Sequence, residues 1–231
     1  FVQIAIDSSQ LPQTVVTLDW KTKKLATWRA PATPEVDVSK LAPVTLESYP
    51  ARDGTKIPMF VRRPAACAEP CPVIVSLYGG QAGFDPYAQV YVAAGFVVVA
   101  PNPRGTAGYG RAWHDADGSG DIADLAAYLR TAWAKDGRAP KLGVVGGPAV
   151  LAVVNTFDAG VANDPHPIAH VSKVKTPLLS LQDASGPREA LEIVERGVPG
   201  ELMLFLDEKR DDGVLKLGQT LAFFEKHLTA K

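Results

Sequence analysis

Five short stretches, residues 72–78, 96–100, 141–145, 177–181 and 202–206, are apolar at almost every position. A strand that alternates apolar and polar residues leaves one face wet. A strand that is apolar throughout has to be covered on both faces, as in a mostly parallel sheet with helices above and below. Helical patterns lie between these stretches. In residues 121–133, Ile122, Leu125, Ala126, Leu129 and Trp133 fall on one face, and Asp121 near the start suits the positive end of the helix dipole. In residues 216–228, Leu217, Leu221, Phe224 and Leu228 do the same. Upstream, strands 44–49 and 57–63 flank a turn at Asp53-Gly54. Strands alternating with helices predict a doubly wound α/β domain with right-handed crossovers.

Residues 1–30 have a different texture. Residues 15–20 alternate, 22–24 turn and 25–28 resume, which predicts a β hairpin. A lone hairpin is marginal in water, so this one needs a neighbour. Residues 31–40, with two prolines and no period, predict a linker, and 41–231 hold the α/β domain. The 231 residues, 46% of them apolar, suffice for one such domain and a short appendage. A formal charge of −1, with no basic patch, gives no reason to expect nucleic acid. No apolar run reaches a membrane span and no signal-peptide pattern opens the chain. The chain begins at Phe1 without Met, as a mature form or a piece of a longer chain would, and the compartment stays open. Cys67 and Cys71 flank a short Pro-rich loop. They form either a small disulfide loop, suited to an oxidising compartment, or two unpaired thiols. With no second Cys or His pair, a closed zinc site is not expected, and no metal or cofactor is predicted.

Sheets of this kind place their sites at the carboxyl ends of the strands, here 78–80, 101–110, 146–148, 182–187 and 207–210. Several motifs there carry a resemblance. Asp53-Gly54 with Ile57-Pro58 and Arg63-Pro64, then Tyr78-Gly79-Gly80, then Arg104-Gly105-Thr106-Ala107-Gly108-Tyr109-Gly110, then Asp121 and Asp124, resemble the prolyl oligopeptidase family of serine peptidases. Residues 1–30 are similar to the end of the β-propeller that precedes the hydrolase in that family. The resemblance implies an α/β-hydrolase domain that cleaves small peptides or esters by Ser, His and Asp. It implies Tyr78 as a candidate oxyanion-hole donor.

The chain departs from that pattern where the chemistry would be. The family nucleophile stands in Gly-x-Ser-x-Gly-Gly between strand and helix. Here Gly147 and Pro148 flank the place of the missing elbow, and no serine lies between Ser119 and Ser172. Gly186 stands at the expected Asp position, with Asp183 where Gly is expected. Lys209 is near the expected His position, and no histidine lies between His170 and His227. The loops after Gly80, around 118–120 and after Val161 are also short for the family.

The remaining candidates have ordinary explanations. Arg104 and Tyr109 are expected to hold a Gly-rich loop, and Asp121 and Asp124 to serve the helix start. His166 and His170 have the spacing of metal ligands on a helix, but Pro165 and Pro167 argue against a helix there. His114 has no partner visible in the sequence, and His227 is expected to be exposed. Ser185 beside Asp183 lacks a nearby base, and residues 209–212 are a solvated charged turn. Three functional readings follow. The first is a scaffold that has lost hydrolysis. The second is an active serine peptidase or esterase whose active-site loops are absent from this chain. The third is a non-catalytic or engineered binding module. Self-association through an apolar side left open is a further expectation.

Overall fold

The computed structural model describes residues 1–29, 36–67, 69–79, 82–163, 173–182, 199–204 and 213–229. Eight strands form one mixed sheet: β4 (Val44–Pro50), β5 (Lys56–Arg62), β6 (Val73–Ser76), β7 (Val97–Pro101), β8 (Leu142–Gly146), β9 (Ala159–Asn163), β10 (Leu178–Gln182) and β11 (Gly200–Leu204). Their order is β11-β10-β9-β8-β6-β7-β5-β4. The pairs from β7 through β6 to β11 are parallel, whereas β4–β5 and β5–β7 are antiparallel. This is an α/β-hydrolase sheet, mostly parallel as its apolar runs require.

Successive side chains on the central strands enter two different cores. Val73 and Val75 of β6, Val97 and Val99 of β7 and Val144 of β8 face one cluster; Ile74, Val98 and Val145 face the other. The first is covered by α3 (Asp121–Ala132) through Ile122, Leu125, Ala126 and Leu129, and by the single turn α4 (Val150–Val153). The second is covered by α1 (Pro86–Ala93) through Ala88, Tyr91 and Val92, and by α5 (Gly213–Phe224) with the π-type turn Glu225–Thr229. Leu125 and Leu129 are fully buried, each contributing about 1.5–3 kcal/mol of transfer free energy. Among the described residues no helix is long and apolar enough to cross a membrane.

Three differences from the sequence expectation stand out. Residues 1–29 form three antiparallel strands, β1 (Val2–Ser8), β2 (Leu11–Leu18) and β3 (Leu25–Arg29), where a hairpin was expected. The extra strand β1 pairs Val2 through Ile6 with Leu18 through Thr14 of β2. Strand β9, Ala-Gly-Val-Ala-Asn, carries too little bulk to announce itself, yet Ala159, Val161 and Ala162 are fully buried between β8 and β10. Helix α1 was also not expected, and it starts where Asp85 accepts from the backbone N–H of Ala88, ahead of Pro86. The expected linker falls partly on residues 30–35, outside the described residues, and ends in the 3-10 turn Val38–Lys40.

The small sheet is held to the large domain by a buried glutamine. Gln89 on α1 donates through Nε2 to the carbonyls of Ser9 (3.0 Å) and Ala42 (2.9 Å), and its Oε1 accepts from the Ala42 N–H (2.8 Å). Asp7 on β1 accepts from the Phe84 N–H at 3.2 Å.

At the centre of the second core β8 lacks a side chain. A Cβ on Gly143 would lie 2.7 Å from Phe224 Cε1 and 2.8 Å from Leu228 Cδ1. Gly143→Ala is therefore expected to destabilise by about 1–3 kcal/mol through overpacking. Phe224→Ala is expected to cost about 3–5 kcal/mol through the cavity it leaves. Because the new methyl would occupy part of that cavity, the double variant should lose less than the sum. Urea unfolding of the four proteins measures this; strict additivity would mean that the two residues do not meet.

Candidate functional site

The carboxyl ends of β6, β8 and β9 and the facing sides of α1 and α5 enclose a cleft of about 390 Å³. Its walls are mostly carbon, from Val98, Val145, Ala88, Leu217 and the rings of Tyr78, Tyr87 and Tyr91. Ser76, Asp85, Asn163, Lys216 and Thr220 supply the polar atoms. Asp85 is committed to the α1 cap. Burial raises the Tyr91 phenol above its ordinary range, and Thr220 is its hydrogen-bonding neighbour, so Tyr91 stays neutral and acts as a wall.

Tyr78 stands at the lip, 59% exposed, just past β6. The Asn163 side-chain amide donates to its hydroxyl oxygen. Asn163 Oδ1 is buried and has no hydrogen-bond partner among the described residues.

The turn after β8 runs from strand to helix through residues that carry neither hydroxyl nor thiol. Gly147, Pro148 and Ala149 make the turn, and the N–H groups of Val150 and Leu151 bond to the carbonyls of Gly147 and Pro148 at 3.1 Å each. Val150 and Leu151 are buried, whereas Pro148 and Ala149 are exposed. Neither Gly147 nor Pro148 lines the cleft. Gly186, Asp183, Ser185, His166, His170 and residues 209–212, Lys209 included, lie outside the described residues.

The Gly-rich loop after β7 turns its best-matched side chains away from the cleft. Gly105 and Gly110 have φ of 91° and 89°, a region that other residues enter at a cost. Tyr109 stacks on Trp113 (5.6 Å between centroids) and accepts from Asn102 Nδ2 at 2.8 Å. Arg104 grips the fully buried Asp121, with its own N–H on Oδ2 at 2.9 Å and Nη2 on Oδ1 at 2.6 Å, and reaches Asp53 Oδ2 through Nη1 at 2.5 Å.

Both aspartates stand in the first turn of α3, as expected of helix-start charges, but neither caps it. The α3 cap position is Gly120, which makes no side-chain cap bond. Asp121 and Asp124 instead receive arginines from elsewhere in the chain. Arg52 gives Asp124 its backbone N–H at 2.8 Å and its guanidinium at 2.9 Å. A guanidinium fork satisfies a carboxylate more fully than a helix end does. Nothing in the sequence joins Arg52 to Asp124 except the fold.

Two histidines differ from expectation as well. His114 ends the short helix α2 (Arg111–His114) and has a partner, Asp115 Oδ1, 3.1 Å from its Nδ1. His227 is half-buried against the Phe223 ring, 4.5 Å between centroids, and burial lowers its pKa. Cys67 and Cys71 are bonded to each other, their Cα atoms 5.4 Å apart.

The arginine pairs make stability depend on acid. Arg52 is the main cause that holds the Asp124 carboxyl below its usual range. Backbone and side-chain bonds from Thr55, then Arg104, bring Asp53 down to about 2. The unfolded chain takes up these protons near pH 4, before the folded one does, so folding stability rises with pH across roughly pH 2 to 4. Arg52→Gln should flatten that rise and lower the melting temperature at pH 7. Thermal melts at pH 2.5, 3.5 and 7 read both effects, and an unchanged acid slope would mean that the Arg52–Asp124 pair is absent in solution.

Comparison with known proteins bears on this architecture. Residues 82–167 match the model of the prolyl oligopeptidase family. Among solved structures, a puromycin-hydrolysing peptidase of Mycobacterium tuberculosis superposes with a TM-score of 0.79 at 20% identity, over 98% of this chain and 46% of that one. The acylaminoacyl peptidase of Pyrococcus horikoshii gives 0.76 at 15% identity, over 98% and 48%. Dipeptidyl peptidase 4 of Porphyromonas gingivalis gives 0.76 at 14%, over 97% and 41%. The chain thus spans less than half the length of these structures, and at such identities they share its fold. The family match falls on the segment that holds α1, the Arg104 loop, α3 and the turn after β8, and the chain as a whole carries the α/β-hydrolase fold that these structures share.

Proposed function

We propose that this chain is a prolyl oligopeptidase-type scaffold without hydrolysis by a Ser–His–Asp triad. The observation that carries this reading is the turn after β8. Where the family's serine would stand on a sharp strand-to-helix turn, Gly147-Pro148-Ala149 offer neither hydroxyl nor thiol. Tyr78 and Asn163 keep the polar side of an oxyanion site, but no acyl intermediate forms for them to stabilise. Removing a triad nucleophile ordinarily lowers the rate by several orders of magnitude, leaving at most the residual effect of binding and the oxyanion donors.

The cleft supports a second part of the same reading. An apolar volume with aromatic walls and a few polar atoms is the usual form of a small-molecule site. Without a nucleophile, a small peptide or ester with an aromatic or aliphatic group binds there and leaves unchanged.

The test is an intact mass of the purified protein before and after incubation with a fluorophosphonate, alongside hydrolysis of aminoacyl and acyl ester substrates. The expected outcome is no adduct and background hydrolysis. A single adduct together with hydrolysis would overturn the reading. It would favour the active peptidase or esterase, with the nucleophile carried on chain beyond this sequence.

A further inference from the structure

At the amino ends of β6 and β7, away from the cleft, the loop between β5 and β6 brings a separate set of reactive groups together. The Sγ atoms of Cys67 and Cys71 and a carboxylate oxygen of Glu69 all lie within 4.8 Å of one another. They border a hollow of about 510 Å³ whose other walls include Arg63, Ala66 and Trp133. We propose that, once the Cys67–Cys71 disulfide is reduced, Cys67, Glu69 and Cys71 bind one thiophilic divalent cation of the zinc or cadmium type, and that oxidation releases it.

The geometry favours this reading. Zinc bonds of about 2.3 Å to sulfur and 2.1 Å to oxygen, at tetrahedral angles, separate ligand atoms by roughly 3.4–3.8 Å. Small side-chain rotations bring the three groups from their present spacing to that one. The loop has fixed ends, Arg62 closing β5 and Val73 opening β6. Its middle is held where Arg138 Nη2 donates to the Glu69 carbonyl at 3.1 Å. That bond leaves the Glu69 carboxylate to serve as the ligand. The hollow leaves space for solvent at a fourth position, which makes this an open three-ligand site. The sequence expectation of no zinc site considered only closed sets of four Cys and His ligands.

The chemistry balances with a low-molecular-weight thiol as the co-reactant. Two thiol molecules reduce the disulfide, giving two cysteine thiols and one small-molecule disulfide. Both thiols lose their protons as the cation binds, so two thiolates and one carboxylate against a divalent ion leave one net negative charge. In reverse, a small-molecule disulfide takes two electrons from the thiolates, the Cys67–Cys71 bond re-forms, and two small thiolates and the cation depart. The loop thus holds either a disulfide or a metal, never both.

Cobalt(II) is the probe. Wild-type protein is reduced with a phosphine, freed of reductant without air, and titrated while thiolate-to-cobalt charge-transfer absorbance and bound metal per chain are followed. The expected result is one cobalt per reduced chain, displaced by zinc or cadmium, and none on the disulfide form. Cys71→Ser should abolish the band, and Glu69→Gln should weaken binding by about 10-fold or more. Circular dichroism checks that each variant is folded. Should Cys71→Ser fail to fold, reduced and oxidised wild type still decide the matter. No band on the reduced wild type, equal metal uptake by both redox forms, or full affinity in Glu69→Gln would each overturn the proposal.

Discussion

Strand β8 is buried at all five positions, and the rest of the domain is arranged to keep it so. Its two faces belong to different cores, Val144 under α3 and α4, Val145 and Gly143 under α1 and α5. A strand covered twice needs helices on both sides, and a parallel neighbour on each side forces those helices to be crossovers. The missing side chain at Gly143 lets Phe224 and Leu228 sit directly on the backbone, so the closing segment locks onto the middle of the sheet and not onto its rim. The turn after β8, where the family places its chemistry, inherits its position from this constraint.

Electrostatics fix what the apolar cores leave undetermined. Apolar packing sets the distance between α3 and the sheet but says little about the loops at the sheet edge. Arg104 ties the loop after β7 both to the start of α3 and to the turn before β5, and Arg52 ties that same turn to α3 one helical step further on. The Asp121 backbone is held as well, its carbonyl accepting from the Tyr49 hydroxyl at 3.0 Å. Asp121 is fully buried, so its carboxylate needs the guanidinium; a buried charge without a partner would be strongly unfavourable. The loop that best matches the family motif is therefore a clamp between elements, and its match follows from architecture rather than from contact with the cleft.

The large sheet was legible because period and bulk agree in its strands. Residues 72–78, 96–100 and 177–181 each lie within a residue or two of an observed strand, and the helix expected over 121–133 is α3. What was not legible had weak local signals. Strand β9 consists mainly of small residues and is recognisable only by the neighbours that bury it. Helix α1 has apolar residues around most of its circumference, so no face stands out; its Asp85-Pro86 start was the available signal. Asp121 and Asp124 are legible as helix-start charges, but not their partners Arg104 and Arg52, which lie beyond any local window. Tyr78 stands out in the sequence as an oxyanion-donor candidate from its motif alone, whereas its partner Asn163 lies 85 residues away.

In an α/β-hydrolase the fold and the triad chemistry depend on different parts of the chain. Triad side chains stand on loops past the carboxyl ends of strands, where they bury little apolar surface. The first turn of the helix after β8 has a different task, since Val150 and Leu151 seal the core beneath the elbow. Here that turn survives as α4, and the chain then passes through the 3-10 turn Val154–Thr156 directly into β9. Even this abbreviated connection keeps its backbone satisfied. Arg130 on α3 donates to the Thr156 carbonyl at 2.6 Å, and the Asp158 carboxylate accepts from the Leu142 N–H at 2.8 Å at the foot of β8. This short connection is thus long enough to carry the crossover, so the sheet closes whether or not a nucleophile stands above it.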